Sequence, residues 1–516
     1  MEVKLRSVIT STLILVGILL TVKLLKWAWL RPRKLEKLLR EQGLNGNPYK
    51  LLIGDMKQLI TVMKTEQPKA VKLSDPIPPH ILPFYTQIIH KYGARSFTWF
   101  GAAPRINISD PELMKEILTK PSVFQKPRPD PIGETIVGGL LFLEDAQWAM
   151  HRKIINAAFH IDKLKKMIPA MYICCSEMIE KWGALVCRNG KQAEIDVWPY
   201  LEDLSGDVIS RTAFGCSDHE QGRRIFELQK EQVKLVLQLL QFSFVPGWRH
   251  FPTKSNRRMR AVTREIESVV KGIITQRERA TERGESIHDD LLGILMESNV
   301  KEIQRGKKMG MSINDVIEEC KLFYFAGSET TSNLLVWTLV MLSKHQHWQD
   351  RAREEVLHVL GNNPPTFDAL NQLKTVTMIF QEVLRMYPPA PLIIRAPTKT
   401  VKLGSMIVPV GAELTLLIGL MHHDPEIWGD DVNEFKPERF GQGISSAAKI
   451  NFAFLPFSSG PRVCIGQNFA MMEAKMALAV MLQSFRFELS SSYKHAPFPI
   501  MTLQPQYGAP LILHKL

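Results

Sequence analysis

The sequence predicts a mainly α protein with a minor β region, folded as a single large domain behind an N-terminal transmembrane helix. Three observations carry that reading: an apolar run of 23 residues near the start, a mostly helical pattern from about Pro111 to Leu360, and no internal repeat along the rest. Of 516 residues, 45% are apolar and 23% charged, which excludes disordered and fibrous classes and ensures a sizeable core.

The apolar run, Val8 to Leu30, reads VITSTLILVGILLTVKLLKWAWL. As a helix rising about 1.5 Å per residue it crosses a ~30 Å hydrocarbon layer. Lys23 and Lys26 interrupt it only near its C-terminal end, where lysine stems snorkel to the interface beside Trp27 and Trp29. A cleaved signal peptide is the alternative, but no small-x-small cleavage site follows. Arg31, Arg33, Lys34, Lys37 and Arg40 come next, against Lys4 and Arg6 on the other flank, which places the body on the cytoplasmic side. The expected divisions are residues 1–30 as anchor, 31–50 as a basic linker with a breaker cluster at Gly43, Gly46 and Pro48, and 51–516 as the domain.

The formal charge is +13, and +7 of it lies in residues 1–50. A basic end with a nearly balanced body argues against nucleic-acid binding. Six cysteines without a Cys-x-x-Cys pair argue against a disulfide framework or a zinc site, and for a reducing compartment. Residues 93–110 carry aromatic and β-branched runs with turn residues, a short sheet. Ser312 and Asp315 form a capping pattern that opens a proline-free helix to about Lys344, ~50 Å long. Beyond Pro388 prolines and glycines multiply, and Thr400 to Val410 reads as small β elements.

Residues 457–466 read Phe-Ser-Ser-Gly-Pro-Arg-Val-Cys-Ile-Gly and precede a run of helix formers, so Cys464 stands just before a helix N-terminus. The partial positive charge there and nearby Arg462 favour a thiolate, the form that ligates metal or attacks as a nucleophile. A cysteine before a helix is, taken alone, more often a small buried residue. Fourteen histidines include no spaced ligand motif, and His422-His423 reads as a loop pair.

Phe457, Gly460, Arg462, Cys464 and Gly466 resemble the Phe-x-x-Gly-x-Arg-x-Cys-x-Gly pattern of the cytochrome P-450 (haem-thiolate monooxygenase) superfamily at all five fixed positions. Other family motifs follow in family order. Glu382 and Arg385 resemble its Glu-x-x-Arg pair, on one helix face, though most such pairs are surface ion pairs. Arg439, within Phe435 to Phe440, resembles the arginine that completes a buried network with them. Ala326 to Thr331 resembles the oxygen-activating stretch of the central helix, although Thr330 can instead bond back to the Ala326 carbonyl. Trp148 and Arg152 resemble the pair that reaches a haem propionate; Arg152 can also be merely solvated.

The resemblance implies a P-450-type haem domain, haem b with Cys464 as axial thiolate and metal ligand, and cofactor contacts from Trp148, Arg152, Arg395, Phe457, Gly460, Arg462 and Gly466. A thiolate pushes electron density through iron and favours O–O cleavage. Thr330 and Glu329 are implied as the catalytic proton relay. With no Gly-x-Gly-x-x-Gly stretch between strand and helix, electrons come from outside the chain; the partner that the resemblance implies is an NADPH-dependent cytochrome reductase at the endoplasmic reticulum membrane, through which alone NADPH and flavins enter. Further likenesses, among them Gly46-Asn-Pro-Tyr49 and Met311 to Asp315, are to the plant family that includes secologanin synthase and triterpenoid oxidases, which implies a terpenoid substrate: an iridoid, triterpene or diterpenoid. Substrate regions are Gln125 to Leu143, Leu235 to Trp248, Ala326, Pro391 to Ile394 with Leu392 and Ile393, and Ile500 to Leu503 with Met501. The alternatives are a haem-thiolate isomerase or dehydratase working without reductase, against which Glu329-Thr330 speaks, and a non-catalytic haem-binding membrane protein.

Overall fold

The computed structural model describes residues 2–66, 70–127, 136, 138–188, 190–215, 219–239, 242, 247–283, 290–304 and 310–516. Parts of two expected substrate regions, 128–135 with 137 and 240–241 with 243–246, lie outside the described residues. The anchor is helical over Glu2–Leu25 and passes through a π turn at Lys26–Leu30 into Arg31–Glu41. Its apolar window is entirely exposed, with Leu13 at 67%, and is long and apolar enough to cross a membrane.

Residues 31–50, expected as a linker, are instead packed. Leu35 and Leu39, four apart, bury one face of Arg31–Glu41. Arg40 pairs with Glu36 and donates to Gly46 O at 2.9 Å, its guanidinium lying over Phe97. Gln42 exchanges side-chain hydrogen bonds with the Ile407 backbone, and Tyr49 donates to Ala28 O at 2.6 Å. These bonds fasten the end of the N-terminal helix to the body.

Strand Ser96–Phe100 turns at Gly101 into antiparallel Ala103–Ile108, the expected sheet. A mixed sheet of six strands grows from them through Glu413–Leu416 and Ile393–Pro397 to Phe124–Gln125. Val401–Leu403 and Met406–Val408, the small β elements expected over Thr400 to Val410, pair as a hairpin. The helical body packs around the central helix, Ile313–Lys344, opened by the Ser312–Asp315 capping box. Within it Trp337 is fully buried and stacked on Tyr387 at 4.6 Å, a pair that contributes about 0.5–1.5 kcal/mol beyond its area. A C-terminal hairpin, Pro497–Pro499 with Leu503–Pro505, lies against this helix.

Candidate active site

Cys464 is set by a loop that leaves little freedom. Its N–H donates to Phe457 O at 2.9 Å, and a 3-10 turn at Gly460–Arg462 sharpens the approach. Gly460 has φ +71°, and a Cβ there would stand 2.3 Å from Leu118 O, so only glycine lets the loop lie on the neighbouring helix. Gly466 begins the helix Gln467–Ser484, and the amides of Gly466 and Gln467 point at the Cys464 sulfur. The side chain keeps accessible surface although it is deeply enclosed, which puts it on the wall of an internal space.

Burial pushes the Cys464 thiol up, against the pull of the Gly466 and Gln467 amides and of Arg152 and Lys126. The expectation that Arg462 favours the thiolate is therefore corrected. Arg462 turns away to the Glu144 carboxylate and to Leu143 O at 2.8 Å, and lies over the Trp148 ring at 4.2 Å. The free thiol is neutral, and a bound metal cation is what would deprotonate it.

Above the loop gather Arg152, Arg395, Arg462 and a residue that sequence reasoning missed, Lys126. Arg152 donates to Val463 O at 2.8 Å. Arg395, 6% exposed, is lowered to about 10 by burial and by Arg462. Lys126 is lowered to about 7, first by burial and then by Arg395 and Arg462; its ammonium meets Leu141 O at 2.5 Å. Glu144 and Asp145 only partly offset these four cations. Such a net positive, enclosed cluster facing a cysteine sulfur fits a haem, whose two propionates would supply the missing negative charge. A propionate beside Lys126 would restore its ammonium, so haem binding takes up a proton above pH about 7. Haem retention, measured by transfer to apomyoglobin, should weaken as pH rises past that value, and Lys126→Met should flatten the dependence; a flat profile in the parent contradicts this assignment.

Behind the loop, Glu382 and Arg385 are fully buried and bidentate, at 2.7 and 2.8 Å. Arg439 stands 3.7 Å from Glu382 and bonds chiefly to Asp431 and Trp428 O. Arg385 also donates to His422 O, while His422 Nε2 accepts from Leu455 N at 3.0 Å, so the network reaches the loop leading to Phe457. His422 and His423 lie in a turn, as expected of a loop pair, and act there as buried struts, kept neutral by burial.

On the central helix Thr330 bonds back to Ala326 O at 2.8 Å, and the helix runs on unbroken. Gly327 lets Ile209 approach; a Cβ would meet its Cδ1 at 2.8 Å. Glu329 is turned to the C-terminal hairpin, and burial raises its pKa against hydrogen bonds from Thr502 and Gln504. Ala326, Leu392 and Phe457 pack on one apolar cluster with Ile465 and Trp148; Ile393 packs on the second cluster. Met501, expected to contact substrate, stands 40% exposed at the hairpin tip.

Comparison with known proteins adds a family. The sequence profile described as Cytochrome P-450 matches residues 76–511. The chain is 53% identical to cytochrome P-450 CYP72A219 of Panax ginseng and 50% to cytochrome P-450 72A15 of Arabidopsis thaliana, each over the full length of both chains. It is 48% identical, again over both full lengths, to the 7-deoxyloganic acid hydroxylase of Catharanthus roseus.

Proposed function

The chain belongs to the cytochrome P-450 family, in the plant CYP72 clade, and from that premise we propose that it is a membrane-anchored monooxygenase of a terpenoid, fed by an NADPH-dependent reductase at the endoplasmic reticulum. The observation that carries the reading is Cys464, held by its loop with two amides aimed at sulfur and a cation cluster facing it. Haem b bound through the Cys464 thiolate supplies the activation of dioxygen. Arg152, Arg395, Arg462 and Lys126, with the Trp148 indole, would hold the propionates. Leu392 and Ala326 offer apolar surface to a hydrophobic substrate. Electrons come from the reductase, and the exposed anchor keeps both proteins on one membrane.

Thr330 and Glu329 move protons. The Thr330 hydroxyl is parked on the Ala326 carbonyl and needs only a χ1 rotation to accept a proton, while burial raises the pKa of Glu329 and so favours its protonated, donating form. Thr330→Ala should cut product per NADPH by about tenfold or more, the missing equivalents appearing as hydrogen peroxide. Unchanged coupling would count against the relay. The terpenoid reading supposes that the chemistry of the 7-deoxyloganic acid hydroxylase extends to this relative. It is tested by NADPH consumption and product analysis with added reductase on iridoid, triterpene and diterpenoid acids. Product from none of them, beside turnover of another class, overturns it.

A further inference from the structure

The central helix presents Glu329, Asn333 and Trp337 at intervals of four residues, hence along one face. All three bond to the C-terminal hairpin. Thr502 Oγ1 and Gln504 Nε2 donate to Glu329 Oε2 at 3.1 and 2.7 Å. Asn333 Nδ2 donates to Thr502 Oγ1 at 2.9 Å, and Trp337 Nε1 donates to Leu503 O at 2.8 Å.

The hairpin's root is held from other sides as well. His495 stands between the hydroxyls of Tyr387 and Tyr493, and Leu503 N donates to Pro389 O at 3.1 Å. Its tip is free by comparison: among the described residues Ile500 N bonds only within the hairpin, to Thr502 O, and Met501 is 40% exposed. Thr502 therefore touches the acid on one side and the tip on the other. No hydrogen bond joins Glu329 to Thr330 among the described residues, although the two are adjacent.

We propose that Thr502 and Gln504 are positioning residues for the proton-delivering acid: they hold Glu329 on the hairpin, and an apolar molecule pressing on Ile500 and Met501 loosens that hold and frees the side chain toward Thr330. The proposal rests on the reading of Glu329 as the proton donor. Its consequence is that proton delivery waits for substrate.

Electrostatics pushes in the same direction. Two donors stabilise the carboxylate form of Glu329, and burial opposes it. Lys230 and Glu202, facing it from neighbouring helices, pair with each other at 3.1 Å, so each blunts the other's field on Glu329. Loss of the Thr502 and Gln504 bonds leaves burial unopposed and raises the proton affinity. The freed acid therefore takes a proton from solvent, then passes it to Thr330, and ends as the carboxylate the hairpin can hold again.

The test uses the full chain with its reductase and the best-turned-over terpenoid of the panel. Gln504→Leu and Thr502→Val, each alone and combined with Glu329→Gln, are compared for product per NADPH with the terpenoid, for NADPH consumed without it, and for the infrared band of the protonated carboxyl that Glu329→Gln removes. With the terpenoid bound each single variant should match the parent in product per NADPH; without it each should consume NADPH about three- to tenfold faster, the worth of one buried hydrogen bond. Neither should gain that consumption in the Glu329→Gln background, and Thr502→Ser should behave as the parent. The band should grow in Gln504→Leu, and in the parent when the terpenoid is added. Equal gains in both backgrounds, or a band that does not grow, overturn the proposal. Unchanged coupling in Glu329→Gln instead overturns the donor reading, while the band still reports whether the hairpin positions the acid.

Discussion

Cys464→Ser should abolish turnover: with reductase, NADPH and substrate present, product falls to the level of a sample without enzyme. The expectation follows from the loop's geometry. Gly466 and Gln467 present their amides to one sulfur, and the backbone around it is fixed by the Cys464–Phe457 bond and by a glycine at φ +71°. A serine oxygen in that place is a harder ligand with a far higher pKa than a thiol, so it does not give iron the electron-rich partner that dioxygen cleavage needs. The fold should survive, because the change is near isosteric and the loop's own bonds are backbone bonds. Retained product formation at more than about a tenth of the parent would show that another residue ligates the iron.

Glu382→Gln should cost about 3–5 kcal/mol of stability, the usual result of leaving a buried charge unpaired. Arg385 is fully buried and makes both of its short side-chain contacts to that one carboxylate. Its remaining bonds, to His422 O and Glu434 O, are to neutral carbonyls, which do not balance a guanidinium in the interior. Because His422 in turn braces Leu455, the damage should spread to the Cys464 loop, and the variant should accumulate with little haem. Thermal unfolding monitored by circular dichroism, with the haem-to-protein ratio, checks both consequences; a loss under about 1 kcal/mol with full haem content would mean that the pair is dispensable.

Much of this site is legible in the sequence because its parts are local. Five fixed positions in ten residues define the Cys464 loop, and a spacing of three puts Glu382 and Arg385 side by side. The central helix is announced by its own capping box. What stayed hidden depends on pairings distant in the chain. Lys126 follows a two-residue strand whose partners are Pro397 and Ala396, and only that pairing brings it beside Arg395. Gln504 reaches Glu329 across 175 positions, with no pattern to mark it. Glu144 claims Arg462 from 318 residues away, which removes the arginine from the role its nearness to Cys464 suggested. The packed helix Arg31–Glu41 did leave a trace, Leu35 and Leu39 on one face, masked by the basic residues around them. His422 and His423 read as a loop pair, and only the Arg385 side chain and the Leu455 backbone closing over that turn bury them.

The account's central claim is that Cys464 ligates haem iron as a thiolate within a working cation cradle. The reduced carbon monoxide difference spectrum of the full-length, membrane-extracted protein tests it most directly. A Soret band at the long wavelength from which the family takes its name is the predicted result. A folded, haem-replete sample that shows only the shorter-wavelength band of a neutral ligand would contradict it.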